Sequence, residues 1–278
     1  VSLNDGTTAT TGGYVNYNNR TYVLWNWKAN ANVTVSYSAG DNSATEASVS
    51  QANTTSGFSI VTYTGDTTGH GSTYPSTFNH GLGLRPKMII VKARNSAQSW
   101  AVYHDDMNGT SSYNHAMFLD LTNAKSSATN AYWGGNTMTL NTNLFSVGSD
   151  NTTGANGVNY VAYCFAEVEG YSKIGTYEGT DSAPPNGAFV YLGFRPKFIL
   201  FKNADHAFEW LIFDTTRSPI NGSSDWLRPN TNELEFDGLF VDALSNGFKI
   251  RSDWTRINYQ SIIYMAFAEV PFKYANAR

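Results

Sequence analysis

Three groups of residues in this 278-residue chain have types and spacings that could do chemistry. His104-Asp105-Asp106 sets an imidazole beside two carboxylates, the start of a catalytic or calcium-binding cluster. Glu167 and Glu269 each stand in a Phe-Ala-Glu-Val string, and either could join a second carboxylate at the separation of about 5–9 Å that glycoside hydrolysis needs. Trp133, between Tyr132 and Gly134-Gly135, and Trp226 and Trp254, beside Asp225 and Asp253, place aromatic faces next to polar groups, a pattern that suits sugar rings.

Each group also has a structural reading. At the positions of His104-Asp105-Asp106, a second copy of the surrounding sequence carries Asp214-Thr215-Thr216, so a strand-end turn explains the string without catalysis. The repeated Arg85/Arg195 or Lys87/Lys197 can neutralise Glu167 and Glu269 as ion pairs. An amphipathic tryptophan also serves at a module or subunit interface, while Trp100 and Trp210, fixed by the repeat, belong in the core. His70, His80, His104, His115 and His206 form no pair at metal-ligand spacing, so neither metal nor cofactor is expected. Cys164, flanked by Tyr163 and Phe165, reads as an inert core thiol on a buried strand. Neither a Gly-x-Ser-x-Gly elbow nor a phosphate-cradling loop occurs, and the chain is expected not to be an enzyme. Asp105, Asp106, Glu167 and Glu169 are the carboxylates left to a polysaccharide depolymerase, the least favoured reading.

These side chains must be held by strands. Charged residues make up only 14% of the chain, so Thr, Ser, Asn and Gly cover the surface, and 17 Tyr, 16 Phe and 7 Trp favour pleated, half-buried packing. A net charge of -4 with no Lys/Arg cluster leaves nothing to neutralise a phosphate backbone, so nucleic acid is not an expected partner. No apolar run is long enough to span a membrane, and no basic-then-apolar leader opens the sequence, so neither insertion nor a signal peptide is expected.

A repeat organises the rest. Gly83-Leu84-Arg85-Pro86-Lys87-Met88-Ile89-Ile90-Val91-Lys92 recurs as Gly193-Phe194-Arg195-Pro196-Lys197-Phe198-Ile199-Leu200-Phe201-Lys202, and Trp100 recurs as Trp210 at the same spacing. Ile60 to Gly65 matches Ile174 to Gly179, Phe145 to Val147 matches Phe248 to Ile250, and Phe165 to Val168 matches Phe267 to Val270. This order implies two modules of about 100 residues, 57–169 and 170–278. Short apolar runs between Gly/Asn/Asp turns, with no sustained helical period, predict an all-β fold of two tandem antiparallel β-sandwiches, jelly-roll-like. Residues 1–56 are expected to be an N-terminal strand segment and a polar linker. Its aromatic string Tyr22-Val23-Leu24-Trp25-Asn26-Trp27 reads as the last strand of an upstream module or as a hairpin leading into the first.

The strings Gly57 to Gly65, His80 to Lys92, Trp100 to His104 and Tyr160 to Lys173 resemble a module common in tail-fibre and related virion proteins of marine and cyanobacterial bacteriophages, over roughly residues 20–273. The resemblance carries no catalytic motif to transfer. It implies a virion tail appendage, extracellular and homotrimeric, attached to other virion tail proteins and reaching toward host surface glycan or protein. Trp133, Trp226 and Trp254 would supply the contacts, or the modules would be purely architectural spacers. The second module departs most between Trp210 and Phe248, which puts any shared ligand pocket in doubt.

Overall fold

The computed structural model describes residues 22–29, 33–66, 75–127, 131–182, 187–221 and 224–270. The first part of the chain forms strands β1 (Val35–Tyr37), β2 (Ser48–Asn53), β3 (Phe58–Thr64), β4 (Ser76–Asn79), β5 (Met88–Ala93), β6 (Ala101–His104), β7 (Met107–Thr110), β8 (His115–Phe118), β9 (Ser126–Ser127), β10 (Leu144–Val147) and β11 (Asn159–Phe165). The second part forms β12 (Ser172–Thr180), β13 (Phe189–Tyr191), β14 (Pro196–Asn203), β15 (Leu211–Asp214), β16 (Ser224–Leu227), β17 (Phe236–Gly238), β18 (Val241–Leu244), β19 (Gly247–Ile250), a single turn of helix α1 (Thr255–Asn258), and β20 (Tyr259–Ala268). The protein is all-β, with 43% strand and 7% helix, and its paired strands are antiparallel.

The repeat in sequence is a repeat in topology. One large sheet has the order β1-β2-β3-β11-β5-β6-β8-β9 and the other β12-β20-β14-β15-β16-β17. From β3 onward the first order is reproduced position by position in the second. Register agrees as well: Phe165 lies between Phe58 and Met88, and its counterpart Phe267 between Ser172 and Phe198. Each large sheet faces a small one, β10-β4 in the first part and β13-β19-β18 in the second.

Alternation along the central strands explains how two large sheets are both covered. Ile89, Val91 and Ala93 of β5 point into a core shared with Phe78 and Phe145 of the first small sheet, while Met88 and Ile90 point the other way. In β14, Ile199 and Phe201 join a core with Val190 and Phe248 of the second small sheet, while Phe198 and Leu200 point away. The outward-pointing sets meet in a third core, where Met88, Ile90, Val102 and Phe165 pack against Phe198, Leu200, Ile263 and Phe267. Strands apolar on both faces are therefore buried on both faces. Trp210 Nε1–H donates to the Phe118 carbonyl at 2.8 Å, and Lys125 pairs with Asp205 at 2.5 Å across the same junction.

Two expectations for residues 1–56 are corrected. Tyr22 to Ala29 is no strand: it joins none of the sheets, and alternate residues Trp25, Trp27 and Ala29 lie against the third core. Trp27 stands edge-on to Phe165 and Phe198. The polar linker is also no linker, because β1 and β2 extend the first large sheet beyond β3. Ser48 and Ser50 face inward there and Val49 outward, so β2 inverts the usual apolar-in pattern.

Candidate functional site

The chemistry-bearing side chains are mostly committed to the fold. His104 is buried between the two large sheets, with Nδ1 accepting from the Asp106 N–H and Nε2 beside the Tyr264 carbonyl at 3.3 Å. Its repeat counterpart Asp214 accepts from the Thr216 N–H in the same way, so both residues hold the turn after their strand. Burial lowers the His104 imidazole to about 4. His80, also buried, is lowered to about 4 by the same cause, with Nδ1 accepting from the Leu82 N–H and Nε2 next to the Asn141 carbonyl. His70 lies outside the described residues.

Asp105 is gripped by both terminal guanidinium nitrogens of Arg85 at 2.6 Å and accepts from the Tyr103 hydroxyl at 2.9 Å. Burial works to raise its carboxyl, but these hydrogen bonds and the arginine charge bring it below the usual range. Arg85 therefore serves Asp105 rather than Glu167. In the second half the expected pair does form, Arg195 with Glu269 at 2.9 Å. Glu167 instead lies 3.4 Å from Lys173 Nζ and accepts from the Ile174 N–H at 2.9 Å. Burial pushes the Cys164 thiol up to about 12, as befits an inert core residue. Buried Lys202 caps the Asn203 and His206 carbonyls and is lowered to about 8 by desolvation. Among the described residues no group of three or more His, Cys, Asp or Glu could hold a metal ion, and no helix is long and apolar enough to cross a membrane.

The tryptophans expected to meet a ligand do not form a site. Trp133 is 0% exposed, its Nε1–H donating to the His115 carbonyl at 2.9 Å and its ring edge-on to Tyr103. Trp226 is also 0% exposed, enclosed by Phe201, Phe213 and Phe240. It sits on β16 rather than in a loop, and alternation turns Asp225 away from the core and Trp226 into it. Trp254 is partly buried, with Phe240 4.8 Å from its ring and the Arg256 guanidinium at 4.9 Å. Trp210 is buried as expected, whereas Trp100 is only partly so, stacked on Tyr163.

A different surface stands out when the halves are compared. Phe78 pairs with Phe145 and Val190 with Phe248, so Thr77 and Asn79 of β4 correspond to Phe189 and Tyr191 of β13. In the first half a strap formed by residues 41–46, between β1 and β2, covers these two positions. Thr77 bonds the Thr45 and Glu46 backbone, Asn79 bonds the Asp41 carbonyl and the Asn42 side chain, and Ser48 donates to the Asn79 carbonyl. Asn79 is left 1% exposed. Among the described residues the second half has no corresponding strap between its strands, because only a tight turn through Gly170 separates β11 from β12. Among the described residues no strand pairs with the outer side of β12. Phe189 is 48% exposed and Tyr191 67%, and a cleft of about 600 Å³ opens between Tyr191, Gly193, Glu167, Glu169 and Lys173.

Sequence reasoning missed Phe189 and Tyr191. The signal lay in a two-residue contraction of the second copy before the shared Gly-x-Arg-Pro, which hides the correspondence of Tyr191 with Asn79. No curated protein and no solved structure matches the chain. A family model does match residues 2–271, and the chain belongs to that family, described as Domain of unknown function (DUF7483).

Proposed function

We propose that this chain is a non-enzymatic structural protein of a virion tail appendage of the bacteriophage tail-fibre kind. Two sandwich modules, 57–169 and 170–278, form its shaft, and exposed aromatic residues contact the host surface. The observation that carries the reading is the cleft at Tyr191: the same strand order occurs twice, but among the described residues one copy lacks the strap and has aromatic side chains where the strapped copy has Thr and Asn. Exposed aromatic residues are enriched in contact surfaces relative to the rest of a protein's surface. The resemblance of residues 57–65, 80–92 and 160–173 to phage virion modules supports reading that contact as one made outside the cell. Commitment of Asp105 to Arg85 and of Glu167 to Lys173 and the Ile174 amide argues against a depolymerase.

The partners proposed are two further copies in a homotrimer, other virion tail proteins, and host surface glycan or protein. A purely architectural role is the second reading, and it draws on Ile220 and Leu234, exposed by 75% and 85%, which assembly would cover. The two are separated by incubating fluorescently labelled protein with intact bacteria and with capsule-stripped controls. Saturable attachment to intact cells supports adhesion; no attachment across a broad panel of bacteria supports the architectural role.

A further inference from the structure

We propose that the Tyr191 cleft is a glycan-binding site that seats a pyranose ring against the tyrosine face, a proposal that rests on the adhesive reading of this surface. The first half supplies the comparison. There the equivalent positions, Thr77 and Asn79, are hydrogen-bonding side chains spent on a strap of the same chain. In the second half their places are taken by flat apolar surfaces, so the occupant is not a copy of that strap. A further β-strand fits poorly too. Glu167 Oε1 already takes the Ile174 N–H on the outer side of β12, and Asn258 Oδ1 takes the Thr180 N–H at its far end. Both ends of the edge are thus closed to strand addition, a protection typical of exposed edges.

What remains suits a ligand with an apolar face and a polar rim. The Tyr191 ring is propped over Gly193, where an added Cβ would lie 3.7 Å from the phenol oxygen, and the φ of +82° there favours glycine. Tyr191 is 67% exposed, so C–H groups of a sugar ring can stack on its phenol. Beside it the Glu167 carboxylate and the Lys173 ammonium offer an acceptor and donors to ring hydroxyls. The cleft volume of about 600 Å³ lies in the range of small-ligand sites.

The test is calorimetric titration of the purified chain with a panel of pyranose oligosaccharides: glucan, galactan, mannan, N-acetylglucosamine and uronate oligomers. We expect at least one to bind, with affinity falling about tenfold or more in Tyr191→Ala and holding within about threefold in Tyr191→Phe. Unchanged melting temperatures would show that both variants fold. Failure of every oligosaccharide to bind, or binding that survives Tyr191→Ala, overturns the proposal. Attachment of the same variants to bacteria separates it from the adhesive reading. Loss of attachment in Tyr191→Ala without binding of any oligosaccharide overturns the glycan site and leaves adhesion standing. An oligosaccharide bound through Tyr191, without attachment to any cell, supports the site and overturns adhesion.

Discussion

Trp226 shows why single residues misled the sequence reading while their neighbours did not. Beside Asp225 and among Ser and Asn it has the look of a loop tryptophan, yet on an extended strand adjacent residues point to opposite faces, and the polar neighbour marks the outer one. Trp133 is hidden in the same way, in a turn-rich segment that folds back under the sheet to bond His115. Both are therefore core residues by energetics. Trp133→Ala or Trp226→Ala should each cost about 3–5 kcal/mol, read from urea denaturation, and a loss within the scatter of surface substitutions would contradict their burial. Cys164 was legible because the flanking strand residues identify it, and the repeat narrowed the partner of Glu269 to Arg195 or Lys197, of which Arg195 makes the pair.

Two buried imidazoles make a second prediction at this scale. His80 and His104 are held near 4 in the folded protein, below the ordinary 6.5, by burial. The unfolded chain thus binds more protons between those values, and stability falls as pH drops from 6.5 toward 4. The loss is on the order of 3 kcal/mol for each histidine. Denaturation midpoints across that window check it, and His104→Gln should flatten the slope. A midpoint independent of pH over the window would contradict the burial of both rings. Lys202, lowered to about 8, acts in the same sense at the alkaline end: stability rises as pH climbs from 8 toward 10.5.

At the level of elements, the central strands were readable and the edges were not. The runs Met88 to Ala93 and Phe198 to Asn203 announce strands because apolar side chains fill both faces. The strand β2 gives no such signal: its inward residues are Ser48 and Ser50, small enough to lie close against Gly81, where an added Cβ would sit 2.7 Å from the Ser50 hydroxyl. Tyr22 to Trp27 misled in the other direction, since an alternating aromatic string can lie along a core without pairing with any strand. Asn79→Ala removes bonds that fasten the strap to β4 and should destabilise the protein by about 1–3 kcal/mol. Amide hydrogen exchange gives the comparison between the halves. The amides of β3 that face β2 should be protected, whereas those of Thr176 and Glu178, on the same side of β12 as the Ile174 amide, should exchange rapidly. Equal protection on the two edges would mean that the second half is sealed after all.

The whole molecule has its two large sheets joined by a core as apolar as the cores within each half. Tandem modules in a sequence suggest independent beads on a string. Met88, Ile90 and Phe165, however, have their partners in Phe198, Leu200 and Phe267, so neither half can expose its outer face without losing that packing. Calorimetry should therefore record one unfolding transition with matching calorimetric and van't Hoff enthalpies, and two resolved transitions would contradict a shared core. The repeat in the sequence could announce two copies but not their contact, because residues that face a neighbouring sheet and residues that face an internal core are equally apolar.

The most direct test of the adhesive account compares attachment of wild-type protein and Tyr191→Ala to intact bacteria across a broad panel. The account predicts saturable attachment by the wild type, and its loss in a variant that melts at the same temperature. Attachment undiminished by Tyr191→Ala, or none by the wild type to any of the cells, would contradict it.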